Sequence, residues 1–175
     1  MDIQLETEKF SDDNFTTEVN IRGRYMRFSV QVESLIMRNI TLLHEEQSLA
    51  RHQHHPLELE RIVFKEKVGQ FYHLLEDLHY DLAKQYSALF SHLHSFRRMR
   101  NIMAHCNFTF DPKDPAHVTI WKLDASRNRF EPVRYAIADI FDLLKNSINH
   151  IIGDLNSLSV DLEKRLRFKL PQLFE

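Results

Sequence analysis

Arg100, Asn101 and His105 lie within six consecutive residues, and the chain's single cysteine, Cys106, follows directly. An imidazole moves protons near neutral pH. A guanidinium keeps its charge under all ordinary conditions and holds anionic oxygens in a planar fork. The two residue types together suit acid–base chemistry on an anionic substrate, with no metal required. Arg97 and Arg98 add positive charge just upstream.

These residues must be positioned by a helix. At about 100° per residue, Leu89, Leu93, Phe96 and Met103 fall in one sector roughly 80° wide. Arg100 falls in the middle of that sector. Burying an unpaired guanidinium is expensive, so Arg100 must have a buried partner, line a wet cleft or face another chain. Asn101 and His105 are i and i+4 and share another side of the helix. Arg100 and His105 lie about 140° apart on a regular helix. They converge only if the helix unwinds near Cys106 or a second copy supplies the opposing group.

The run Arg100-Asn-Ile-Met-Ala-His105 resembles the R-N-x-x-x-H signature of HEPN domains. These are small helical bundles, many of them metal-independent ribonucleases of prokaryotic toxin–antitoxin and phage-defence systems. The signature is an Arg and a His with four to six residues between them, the first of these polar and the last often small; Arg100, Asn101, Ala104 and His105 match each feature. The layout is also similar: Phe64-Lys-Glu-Lys-Val68 opens an apolar helix, and a second helix ends in the motif. The resemblance covers roughly residues 20 to 165. It implies a mainly α, HEPN-like bundle of four long helices, and a homodimer whose motif helices meet in one cleft. It implies cleavage of an RNA phosphodiester by its own 2′-hydroxyl. His105 would be the acid/base, Arg100 the phosphate clamp and Asn101 an orienting group, with Arg97 and Arg98 on the substrate. It implies no cofactor, no metal, and an antitoxin partner such as a nucleotidyltransferase; the absence of long apolar runs and the single cysteine predict no membrane and a cytoplasmic setting.

Two other matches to the spacing exist. Arg38-Asn39 to His44 is read as a decoy, with His44 about 180° from Leu35 and turned towards solvent. Arg98 also precedes His105, but Met99 follows it.

The 175 residues, 43% of them hydrophobic, suit one domain with a substantial core. A net charge of −2 lacks the basic balance of a general nucleic-acid binder, so any RNA site must be locally positive. One cysteine allows no internal disulfide and suits a reducing compartment. No signal peptide and no apolar run near 18 residues is visible. Three Gly and five Pro point to long helices with few tight turns.

Along the chain, residues 1–19 read as a polar, acidic arm. The single helical domain spans 20–166 and a tail spans 167–175. Tyr25, Phe28, Val32, Leu35, Leu42 and Leu43 mark a first helix from about Asn20 to Ala50. Pro56 ends it, after a loop with His52, His54 and His55. Leu59 to Tyr80 forms a second helix, a break falls at His79 to Asp81, and Asp81 is placed as N-cap of the motif helix. Phe108-Thr-Phe110, Val118 to Leu123 and Arg129 to Val133 alternate with turn residues and predict a β-meander inserted at about 107–133. It covers a helix end; Trp121 or Phe108 could also stack on a base. Ile137 to Leu166 forms the last helix.

Other chemistry has less support. The three loop His lack a companion Cys and a fixed tetrahedral scaffold, so they are read as a polar loop. No Gly-rich phosphate loop, H-E-x-x-H, G-x-S-x-G or C-x-x-C occurs. Cys106 and His105 are adjacent on a helix and do not face each other. The competing reading is a non-catalytic HEPN-like bundle serving as a dimerisation, nucleotide-binding or protein-interaction module. There Arg100 would bond a buried carboxylate such as Glu33 or Glu76, and His105 would cap its helix.

Overall fold

The computed structural model describes the backbone of residues 5–50, 63–124, 127 and 129–169, and the side chains of 14–44, 63–123, 127 and 129–167. The His52, His54 and His55 loop and the tail from residue 170 lie outside them. The fold is mainly helical with one small sheet. Its elements are α1 (Leu5–Ala50), α2 (Phe64–Leu78), α3 (Tyr80–Gln85), α4 (Ser87–His105), β1 (Asn107–Asp111), β2 (Asp114–Asp124), β3 (Arg129–Ala136) and α5 (Ile137–Lys169). None of the helices, among the described residues, is long and apolar enough to cross a membrane. The chain divides into two compact units: Met1–Ser29 with Arg98–Asn146, and Val30–Arg97 with Ser147–Glu175.

The second unit is all-helical. Its core holds Val32, Ile36, Ile40 and Leu43 of α1, Phe71 and Leu75 of α2, Leu89 and Leu93 of α4, and Ile151, Leu155 and Leu158 of α5. The buried stripe on α1 therefore runs through Ile36 and Ile40, while Leu35 and Leu42 are half-buried. This turn of the stripe corrects the placing of His44 in solvent. His44 follows Ile40 by one turn, is half-buried, and its Nδ1 is enclosed without a hydrogen-bond partner among the described residues. Asn39 lies in the core and is fully satisfied there. Its Nδ2 donates to the Leu35 and Leu155 carbonyls at 2.9 and 3.2 Å, and its Oδ1 accepts from Ser159 Oγ at 3.1 Å.

The break between α2 and the following helices falls at His79, whose φ of −145° and ψ of 66° leave the helical region. Asp81 is not the N-cap of α4. His79 occupies the N-cap position of the short α3, and Asp81 receives both terminal nitrogens of Arg165 instead. A second break at Tyr86 restarts the chain as α4 at Ser87. The Tyr86 hydroxyl donates to Asp161 at 2.8 Å, which ties that break to α5. Burial and this bond raise the Tyr86 pKa to about 12.

The first unit carries the sheet. At its start α1 contributes Ile21 and Tyr25, α4 contributes Met103, and α5 contributes Ile140 and Leu144 to the buried set. α1 begins at Leu5, inside the stretch read as an acidic arm; no Gly or Pro interrupts residues 5–20, and early acidic residues favour a helix N-terminus. The strands form an antiparallel sheet in the order β1-β2-β3. An Asx turn, with Lys113 N–H on Asp111 Oδ1 at 2.9 Å, helps reverse the chain between β1 and β2. Pro132 sits opposite Trp121 on β3, an edge strand where a missing N–H is tolerated. Parity puts Val118 and Ile120 on the covered face, at 1% and 0% exposure, and Trp121 and Leu123 on the other. Tyr25 is 2% exposed, and burial, with Tyr135 adding a smaller push, raises its pKa to about 12.

Candidate functional site

α4 delivers the motif. Its buried positions Leu89, Leu93, Phe96 and Met103 follow the apolar stripe, and Arg100 sits among them half-buried. The sequence reason is plain: i, i+3 and i+4 spacing places Arg100 one turn from Phe96 and from Met103. The Arg100 Nε is buried and, among the described residues, has no hydrogen-bond partner. Its Nη1 has only a long 3.4 Å contact to Asn101 Oδ1. Among the described residues no carboxylate reaches it. The two candidates for an internal partner are engaged elsewhere: Glu33 accepts from Lys67 Nζ at 2.5 Å and Glu76 from Tyr72 Oη at 3.2 Å.

His105 is the last residue of α4 and is exposed, as is Asn101 one turn earlier. Both motif ends remain helical, so Arg100 and His105 keep the angular separation of a regular helix, about 140°. Arg98 is exposed and Arg97 half-buried.

His105 does not cap its own helix. Arg22 of α1 does so: its Nη1 donates to the Met103 carbonyl, and its Nη2 to the Cys106 carbonyl at 2.7 Å. Arg22 Nε is held by Glu18 at 2.7 Å, and the guanidinium carbon lies 4.4 Å from the centre of the Phe108 ring. A cation at a helix C-terminus meets the negative end of the dipole and satisfies orphaned carbonyls. Arg22 thus occupies one face of the Phe108 ring. Arg22 was not found from sequence, because its partners are 81 and 84 positions away and no local pattern points to them.

Trp121 remains open to solvent at 37%. Its indole N–H donates to Thr109 Oγ1 at 2.9 Å, which fixes the ring on the sheet. Asn107, Thr109, Trp121 and Phe130 line a shallow concavity of about 330 Å³. Phe130 and Leu123 are 62% and 54% exposed.

No family model, curated protein or solved structure matches the chain. The site must therefore be read from its own chemistry. The described residues contain no group of three or more His, Cys, Asp or Glu placed to hold a metal ion. What the first unit offers is a cation with no carboxylate partner among the described residues, an exposed imidazole five residues further on, and a second guanidinium fixing the helix end that carries it. The guanidinium can bind a phosphate and the imidazole can move a proton, but on one copy the two groups diverge by about 140°. Cys106 is half-buried and its carbonyl, not its thiol, is engaged with the site through Arg22.

Proposed function

We propose that this chain is a metal-independent endoribonuclease of the HEPN type. The observation that carries the reading is Arg100: a half-buried guanidinium on the motif helix whose Nε has no partner, and whose remaining donors no carboxylate, among the described residues. A buried donor without a partner calls for an explanation, and on the motif helix a bound anion supplies one. The non-bridging oxygens of a phosphodiester match the guanidinium fork.

In this mechanism His105 takes the proton from a ribose 2′-hydroxyl. The 2′-oxygen attacks the adjacent phosphorus, the bond to the 5′-oxygen breaks, and a protonated imidazole returns a proton to that leaving oxygen. Arg100 holds the charge that builds on the equatorial oxygens, and Asn101, on the same helix side as His105, orients the imidazole or the ribose. Arg97 and Arg98 contact flanking phosphates. The helix separates Arg100 from His105, so the active form is a homodimer in which each cleft uses one group from each protomer. A reducing cytoplasm suits the single cysteine. A toxin role would add an antitoxin partner, such as a nucleotidyltransferase.

The test is cleavage of single-stranded RNA in excess EDTA. The expected products carry 2′,3′-cyclic phosphate and 5′-hydroxyl ends, and His105→Ala abolishes them with helical circular dichroism intact. Strict metal dependence, 5′-phosphate ends or full activity in His105→Ala would each refute the reading.

A further inference from the structure

We propose that the open face of the β1-β2-β3 sheet, centred on Trp121 and Phe130, holds unpaired bases of a single-stranded RNA. The inference rests on the ribonuclease reading for its choice of ligand and goes beyond it by naming where, and in what form, the substrate is held.

Three observations point to this occupant. The first is the surface itself. Phe130 is opposite Leu123 and therefore diagonal to Trp121 across β2 and β3, a separation that aromatic side chains span. The two rings border one concavity, and its other lining residues, Asn107 and Thr109, offer an amide and a hydroxyl. Flat aromatic faces beside hydrogen-bonding groups suit a base, which has a π surface and polar edges. The Trp121 N–H is already bonded to Thr109, so the indole is oriented before any ligand arrives.

The second is charge. The segment 98–136, from the motif through β3, has seven Lys and Arg against four Asp and Glu, on a chain whose net charge is −2. Asp114 is already paired with Arg134 and His117, and Glu131 with Arg127 and Arg129. Arg98 and Arg100 carry no such carboxylate among the described residues. A polyanion is drawn to this part of the chain.

The third is chain continuity. β1 starts at Asn107, and α4 ends at His105. Two peptide units separate their Cα atoms by no more than about 7.6 Å. A strand whose scissile phosphate lies at His105 has a neighbouring nucleotide within reach of β1 and Trp121. Duplex RNA keeps its bases stacked on each other and has none to offer, so the face selects single strands.

Trp121 is the chain's only tryptophan, so its fluorescence reports this face alone. The full chain carrying His105→Ala, which keeps RNA intact, is titrated with a fluorescein-labelled 12-nucleotide RNA without self-complementarity; Trp121 emission and label anisotropy are read together. The expected result is saturable quenching that tracks the anisotropy, no quenching by the duplex of the same sequence, and about tenfold weaker binding in Phe130→Ala. Phe130 is largely exposed, so its replacement leaves folding intact. Anisotropy rising without quenching, and insensitive to Phe130→Ala, would overturn the platform while leaving the ribonuclease reading to its own cleavage assay. So would a blue shift of Trp121 that grows with protein concentration in the absence of RNA, which marks a protein-docking face. Absence of binding also overturns it. Quenching by RNA that the wild-type chain fails to cleave would keep the platform and refute the catalytic reading.

Discussion

Arg22 Nη2 donates to the carbonyl oxygen of Cys106 at 2.7 Å, and the same guanidinium reaches Met103. The C-terminal end of the motif helix is therefore fastened to α1 within the first unit. A charged donor on a carbonyl contributes about 1.5–3 kcal/mol where it is partly shielded. Arg22→Leu should lower the unfolding free energy by about 2 kcal/mol, read from urea midpoints. Arg22→Lys should recover less than half of that, because one ammonium cannot reproduce a fork across two carbonyls. A loss below about 0.5 kcal/mol would show that water caps these carbonyls equally well.

Arg100 should behave in the opposite way. Its Nε is buried and unpartnered among the described residues, so removing it takes away a desolvation cost. Arg100→Met keeps the length of the apolar stem. It should leave the melting temperature unchanged or raise it by a few degrees, while abolishing RNA cleavage. A large fall in stability would show that Arg100 is a structural residue and not a binding one.

The second Arg-Asn…His match separates fold from function. Arg38 pairs with Glu163 at 2.6 Å, and Asn39 bonds Leu155 and Ser159 in the core. Asn39→Ala leaves those groups unpaired and should cost about 2–3 kcal/mol in urea unfolding. Cleavage per folded molecule should stay at wild-type level in Asn39→Ala and in His44→Ala. Loss of cleavage in a folded His44→Ala would move the catalytic assignment to this helix.

What the sequence displayed and what it hid follow from the range of the interactions. The α4 stripe was legible because i, i+3 and i+4 spacing is local, and Leu89, Phe96 and Met103 are buried where the period puts them. The meander was legible from alternation and turn residues, although β3 continues to Ala136. On α1 both Leu35–Leu42 and Ile36–Ile40 satisfy the period. Packing chose the isoleucines, which turned His44 away from open solvent. The break at His79 was visible in the length of the pattern. Its capping was not, because Asp81 had a distant Arg165 to pair with. Arg22 left no local mark at all. Parity alone could have flagged the sheet's second apolar face, since Trp121 and Leu123 alternate with the buried Val118 and Ile120.

Two tyrosines predict the alkaline limit of the fold. Tyr25 in the first unit and Tyr86 in the second ionise at about 12 when folded, against an ordinary tyrosine value of 10.0. A raised folded-state pKa gives stability that is complete below pH 10 and is lost as pH rises towards 12, because only the unfolded chain gives up its proton in that window. Helical circular dichroism should therefore be flat up to about pH 10 and the urea midpoint should fall above it. Tyr25→Phe should flatten that fall, since the buried ring then has no proton to lose. An unchanged alkaline slope in Tyr25→Phe would assign the effect to Tyr86 or to lysines.

Mixed dimers test how the motif is assembled. Arg100 and His105 lie on one uninterrupted helix, about 140° apart, so one copy cannot close both groups on one phosphate. Two-fold symmetry can do so, bringing Arg100 of one protomer to His105 of the partner subunit, twice. Arg100→Ala and His105→Ala chains should each be inactive as pure homodimers. When they are unfolded together and refolded at equal ratio, half of the molecules are mixed. In each mixed dimer one cleft has both mutations and the other has neither. Activity should return to about one quarter of the wild-type level per chain. A site built within one protomer predicts no recovery, because every copy then lacks one of its two groups. Light scattering on the same samples should give a dimer at micromolar concentration. A monomer with full activity would defeat the shared cleft and require the helix to unwind at Cys106.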